Sequence, residues 1–427
     1  MASDSAVVAQ LFADDAWQSK LVRTATGQVS ECWQNVCLIL THHPAWAGVV
    51  GFDEFATRAV KRLPTPTGAA AGEWGQDDTY ALGLWLAQSM NFTVKSLAAL
   101  DQGMLAAANA NRFNPVREYF DKLAWDGTNR LDFWLSECLG VKPGPYAAMV
   151  GRFFIMNVVR RVLEPGCIMR SVPILEGAQD KGKSTALRLL AEPWFGDSHL
   201  DIGNKDVYEV IQGKMIYEIG EMHAFSKAEA SKVKQFVSSR ADRWVPKYVR
   251  HPLEVKRSVC FVGSINPDGA GYLRDWTGNT RFHPVLCMED GPLDLDKVAQ
   301  WRDALFAEAL HRVKAGEQAY PGDEDVRLYF EPEQAARLSE HPYLEPVAVW
   351  LDGADAAEAR VQGVLTASRV LTQGLNVEKG KQTPQMLADV GRVMHQLGWR
   401  RIRSSKEGRP WVYDAPKRKP GGEGNAP

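Results

Sequence analysis

The stretch Gly177-Ala-Gln-Asp-Lys-Gly-Lys-Ser184 sets two glycines, a lysine and a hydroxyl at the spacing G-x-x-x-x-G-K-S/T. That pattern suits a phosphate. The glycines let the backbone curl until its N–H groups point inward, and Lys183 brings a point charge to the β- and γ-phosphates. The Ser184 hydroxyl is placed to hold Mg2+. The expected nucleotide contacts are Gly177, Gln179, Asp180, Lys181, Gly182, Lys183, Ser184 and Thr185, with ATP and Mg2+ as the cofactors. The plain alternative is a glycine-rich turn.

A phosphate loop needs acids for the metal and the attacking water. Lys214-Met-Ile-Tyr-Glu218-Ile-Gly-Glu221 is an apolar run ending in carboxylates, and it nominates Glu218 and Glu221, with Glu218 and Ser184 around the metal. A third apolar run, 259–263, leads to Asn266, whose amide suits a hydrogen bond to the γ-phosphate or the water. Arg274 and Arg281 follow, and a guanidinium from either would stabilise transition-state charge at a neighbouring subunit's nucleotide. Each has a bland counterpart: solvated strand-end acids, a turn, and structural ion pairs.

Charge segregates between the second and third runs. Residues 226–257 carry nine Lys or Arg against three acids, a net of +6 in a chain whose formal charge is −2. Rings interleave there, so Arg243, Trp244, Lys247, Tyr248 and Arg250 read as a hairpin offering phosphate contacts and stacking faces to single-stranded DNA. A merely solvated hairpin is the competing reading. A weaker basic patch, with Arg400, Arg401 and Arg403, suits contact with a DNA backbone, double-stranded DNA included.

The positioning elements follow from periodicity. The runs at 172–175, 215–219 and 259–263 are short, apolar and bounded by helices or Gly, as buried parallel strands are. Residues 146–163 carry apolar side chains at helical spacing. The expected fold is α/β, with a helical N-terminal domain over 1–114 and a helical lead-in over 115–170. The ATPase core follows over 171–290 and its helical C-terminal part over 291–345. A winged-helix-like domain over 346–414 and a disordered basic tail over 415–427 complete the chain.

Composition agrees with a folded, multi-domain chain: 427 residues, 45% hydrophobic and 24% charged. The six cysteines form no C-x-x-C pair, which fits reduced thiols in a cytoplasmic protein rather than a zinc site or a disulfide framework. No apolar run reaches the roughly eighteen residues of a membrane helix, so no membrane partner is expected.

Five stretches occur in order: Trp125-Asp-Gly-Thr-Asn-Arg-Leu-Asp, Arg161-Val-Leu-Glu-Pro-Gly-Cys, the phosphate loop, Tyr217-Glu-Ile-Gly-Glu and Leu273-Arg-Asp-Trp-Thr-Gly-Asn-Thr-Arg-Phe-His-Pro-Val. Together they resemble the virulence-associated protein E family of phages, prophages and mobile elements, most specifically over 115–290. The resemblance implies an AAA+/superfamily 3-like P-loop core, a ring (a hexamer) of identical chains, and helicase-like ATP hydrolysis in replication of a mobile element inside a bacterial host cell. It implies Glu218 and Glu221 as the Walker B acids, Asn266 as the sensor, and Arg281 before Arg274 as the finger. The first 115 residues hold no carboxylate-plus-zinc signature of a primase, so a separate primase or another replication protein is the expected partner. Two rival readings stand beside the motor: a P-loop ATPase that remodels or loads proteins without unwinding, and an origin-binding protein whose assembly nucleotide controls.

Overall fold

The computed structural model describes residues 15–220, 227–245, 252–266, 272–273, 281–338, 341–404 and 410–415. The chain divides into two units, Met1–Arg337 and Leu338–Pro427.

The first unit begins with helix α1 (Trp33–His42) and a hairpin of strands β1 (Val50–Asp53) and β2 (Arg58–Lys61). Strands β3 (Gly72–Glu73) and β4 (Arg112–Phe113) complete a sheet of order β3-β2-β1-β4. Helices α2 (Gln76–Met90) and α3 (Leu97–Ala110) lie between β3 and β4 in the chain. Val36, Ile39, Leu40, Trp46, Leu82, Leu86 and Leu100 form the core. The α1–α3 contact is tight because Gly103 has no side chain: a Cβ there would stand 2.5 Å from Val36 Cβ. The helical reading of 1–114 therefore needs correcting to mixed α and β. These strands are two to four residues long, too short to leave a two-residue period in the sequence.

Helices α4 (Pro115–Phe120), α5 (Trp134–Leu139) and α6 (Pro145–Leu163) lead into the second sheet. Pro145 occupies the first turn of α6, where its missing N–H costs nothing, and the helix is buried along most of its length. The Trp125-Asp-Gly turn has a structural task. It brings the Arg130 and Leu131 N–H groups onto the fully buried Glu308 carboxylate, at 2.6 and 3.0 Å.

Five parallel strands form this sheet: β5 (Val172–Glu176), β6 (Phe195–Gly196), β7 (Ile216–Gly220), β10 (Cys260–Ile265) and β11 (Phe282–Leu286), in the order β11-β5-β10-β7-β6. β5 and β7 are buried almost throughout, which explains their unbroken apolar runs. The sequence reading missed β6, which is two residues long, and β11, whose Pro284 argues against a central strand. β11 is an edge strand, where proline is tolerated. Helix α7 (Lys183–Ala191) follows β5; α8 (Lys227–Ser238) and the antiparallel hairpin β8 (Ala241–Trp244) and β9 (Leu253–Lys256) lie between β7 and β10. Helix α9 (Leu295–Lys314) packs on α6 and α7, and α10 (Glu331–Ala336) closes the unit. Parallel strands carry all their C-terminal ends to one edge, and that edge is where such sheets bind ligands.

The second unit comprises helices α11 (Leu344–Leu351), α12 (Ala354–Val361) and α13 (Pro384–Gln396), then an antiparallel ribbon of β12 (Arg400–Arg403) and β13 (Trp411–Asp414). Val347, Leu365, Leu371, Val390, Val393 and Tyr413 form its core. Thr383 caps α13 by accepting the Met386 N–H at 3.2 Å. No helix among the described residues is long and apolar enough to cross a membrane.

Candidate functional site

The site forms where β5 hands over to α7. Gly177 (φ +148°), Asp180 (φ +58°) and Gly182 (φ +93°) take positive φ values that curl the intervening chain. At Gly177 the positive φ disfavours a side chain, and a Cβ would also crowd Met288 Cε at 3.2 Å. Lys183, the first residue of α7, folds back over the loop. Its Nζ donates to the Gly177 and Ala178 carbonyls, each at 2.7 Å. It is thus buried rather than displayed on an open loop, and burial pulls its ammonium below the ordinary lysine value. Burial likewise pushes the neighbouring Cys287 thiol up to about 12.

β7 delivers Glu218 to the same edge. Its carboxylate is only 4% exposed. One oxygen, Oε1, accepts the Ser184 hydroxyl at 2.8 Å, while Oε2 is buried with no hydrogen-bond partner among the described residues. A buried carboxylate oxygen is costly to leave bare, and a cation is the partner that suits it. Ser184 and Glu218 therefore fit a divalent ion shared with a phosphate, the mode in which Mg2+ is usually bound. β10, lying between β5 and β7, is followed by the exposed Asn266. Gln179, Asp180, Lys181, Gly182, Lys183, Ser184, Thr185, Glu218 and Asn266 line one cleft of about 570 Å3.

Four further residues line this cleft, Gly220 and Ile265 at strand ends and the polar Asp197 and Ser264. Asp197 follows the two-residue β6 and pairs with Arg188 at 2.6 Å. A strand that short leaves no period from which to infer it. A Phe-Gly-Asp turn after the loop helix is the one available hint.

Arg281 is absent from the cleft lining. Phe282 pairs with Val172 and Leu286 with Glu176, so Arg281 precedes the N-terminal end of β11 while the loop leaves the C-terminal end of β5. Glu221, Arg274, Lys247, Tyr248 and Arg250 lie outside the described residues. On β8, Arg243 is exposed, but Trp244 faces inward at 5% exposure and packs beside Tyr208, with ring centres 6.1 Å apart. Trp244 therefore has no face open to a base, which corrects the expectation that it stacks on DNA. The strand's two-residue alternation assigns it to the core together with Asp242, which pairs with the buried Arg257. On the ribbon of the second unit, Arg400, Arg401 and Arg403 are exposed. Arg401 and Arg403 stack on the Trp411 ring at 4.8 and 4.1 Å.

The virulence-associated protein E-like domain matches residues 120–339. This chain belongs to the virulence-associated protein E-like family. The family's domain contains the whole cleft and the β8–β9 hairpin, whereas the N-terminal sheet and nearly all of the second unit lie outside it. Among solved structures, the chain is similar to the apo A form of the NrS-1 C-terminal region (305–718), at 13% identity over 91% of this chain and 100% of that one, with a TM-score of 0.48. A second structure of the NrS-1 C-terminal region matches at 12% identity over 86% of this chain and 96% of that one, with a TM-score of 0.39. No curated protein matches the chain.

Proposed function

We propose that this chain is an ATP-hydrolysing, helicase-like DNA motor of the superfamily 3/AAA+ type that acts in replication of a phage or mobile element. The observation that carries this reading is the buried Glu218 carboxylate, bonded through one oxygen to Ser184 and without a partner among the described residues at the other, beside a left-handed loop that Lys183 holds closed. ATP phosphates displace the two loop carbonyls from Lys183. The loop N–H groups and the start of α7 receive the phosphate oxygens. Ser184 and Glu218 would hold Mg2+, which would supply positive charge against the phosphates. Glu221 takes the proton of the attacking water, and Asn266 orients that water. An arginine, Arg281 before Arg274, comes from the next chain of a ring.

DNA contact is assigned to Arg243, Lys247, Tyr248 and Arg250 of the hairpin, which grip one strand. Arg400, Arg401 and Arg403 of a winged-helix-like second unit meet a duplex backbone. A separate primase or other replication proteins work beside the ring.

The test is ATP turnover with and without single-stranded DNA, strand separation on a forked duplex, and imaging of particles formed with ATP. DNA-stimulated turnover, unwinding and rings support the motor. Turnover without unwinding points instead to a remodelling ATPase, and nucleotide binding without turnover to an assembly switch.

A further inference from the structure

Glu176 is the last residue of β5, one step before the phosphate loop, and its side chain is 4% exposed. A carboxylate so deeply buried needs close partners. Arg337 supplies a fork: Nη2 donates to Oε2 at 2.8 Å and Nε to Oε1 at 3.0 Å. The Tyr272 hydroxyl donates to Oε1 at 2.9 Å. Paired, planar contacts of this kind fix geometry as well as contributing energy.

The same short stretch also holds Leu273 and Phe282, the two residues that flank the candidate fingers. The Arg337 carbonyl accepts the Leu273 N–H at 3.0 Å, one residue before Arg274. Gln334 Nε2 donates to the Phe282 carbonyl at 3.0 Å, one residue after Arg281. The chain from Leu273 to Phe282 is therefore anchored at both ends on 334–337. Through Glu176, that anchor is tied to the strand from which the phosphate loop springs.

We infer that Arg337 is a positioning residue for the trans arginine: it sets the segment from Leu273 to Phe282 so that its arginine reaches the nucleotide of the neighbouring chain. This rests on the reading above, in which an arginine of that segment completes the neighbour's site. Arg337 does not touch the nucleotide in this account. Its loss harms the site next door and spares ATP binding in its own chain.

The experiment uses full chains. Arg337→Ala, Arg337→Lys, Tyr272→Phe, Arg281→Ala and Arg274→Ala are compared for nucleotide affinity and for turnover at saturating ATP. Each is measured alone and in verified co-assemblies with Lys183→Ala. Arg337→Ala is expected to bind nucleotide within about threefold of the parent, turn over about tenfold or more slowly, and regain part of its turnover on mixing. The Lys183→Ala neighbour then supplies a correctly held arginine. Arg337→Lys restores part of the loss without mixing, and Tyr272→Phe shows the same pattern at lower amplitude. Should Arg337→Ala prove unfolded, Tyr272→Phe carries the comparison alone. Unchanged turnover in Arg337→Ala, or a loss that mixing does not repair while an arginine variant is repaired, overturns this inference and leaves the motor standing. If neither Arg281→Ala nor Arg274→Ala lowers turnover, the trans arginine falls and this inference with it.

Discussion

The Ser184 hydroxyl and the Glu218 carboxylate meet at 2.8 Å although thirty-four residues separate them in the chain. One comes from the first turn of α7 and the other from β7, and the second Glu218 oxygen is buried with no hydrogen-bond partner among the described residues. This pairing joins the glycine-spaced loop after β5 to the acid that, in the proposed function, would share a metal with it.

Lys183→Ala is expected to abolish ATP turnover in a chain that still folds. The lost bonds to Gly177 and Ala178 cost about 1–3 kcal/mol, a fraction of a domain's stability. Hydrolysis that survives in the folded variant would remove the phosphate-loop assignment. The lowered ammonium of Lys183 adds a pH signature. Between its folded value and the ordinary lysine value, the unfolded chain binds more protons, so this group's contribution to stability rises with pH. Phosphate affinity falls over the same window because the charge is lost. Melting and binding series on the parent and on Lys183→Met isolate both trends.

Glu221→Gln is expected to keep ATP bound and slow hydrolysis by about 10²–10³-fold, the scale of losing one transition-state group. Glu218→Gln should weaken the dependence of nucleotide binding on Mg2+, because it replaces the carboxylate bonded to Ser184. Single-turnover rates and Mg2+ titrations on the two variants separate these effects. If Glu218→Gln proves the slower in hydrolysis, water activation and metal holding change places.

Between residues 241 and 256, stability and DNA binding should fall to different residues. Trp244→Ala removes a buried ring and is expected to cost about 3–5 kcal/mol. Asp242→Ala leaves Arg257 buried without its carboxylate, at a similar cost of about 3–5 kcal/mol. Neutralising Lys247 and Arg250 together should leave melting unchanged, spare basal turnover and flatten the salt dependence of single-stranded DNA binding by about one to two log–log units. Denaturant melts and binding isotherms at several salt concentrations check both halves. A DNA defect in folded Trp244→Ala equal to that of the double variant would restore the ring to the interface.

The cysteines should sort by burial. Burial pushes the thiols of Cys138, Cys260 and Cys287 up to about 12 and leaves them fully covered. The half-buried Cys32 and Cys37 should alkylate first at about pH 8, since the thiolate is the reacting species. Mass spectrometry of the native protein reads the order. Early modification of Cys287 would show that the loop beside Lys183 opens far more than this packing allows.

The sequence alone determined the curl of the glycine-spaced loop after β5, the acid run of β7 and the three apolar strands that carry them, because these depend on local rules. Glycine spacing fixes how a loop can curl, and strands buried on both faces read as unbroken apolar runs. The resemblance carried by the five stretches is likewise local, and the family match over 120–339 agrees with it. What lay beyond the sequence depends on contacts between distant residues. The N-terminal sheet is built from strands too short to show a period. The inward turn of Trp244 is set by Tyr208. Lys183 is buried because it closes on its own loop, and Asp197 joins the cleft only because β6 pairs with β7. Glu176 looked like one more strand residue. Packing alone brought Arg337, the residue after α10, to it across 161 positions of chain, because a buried carboxylate must find a cation.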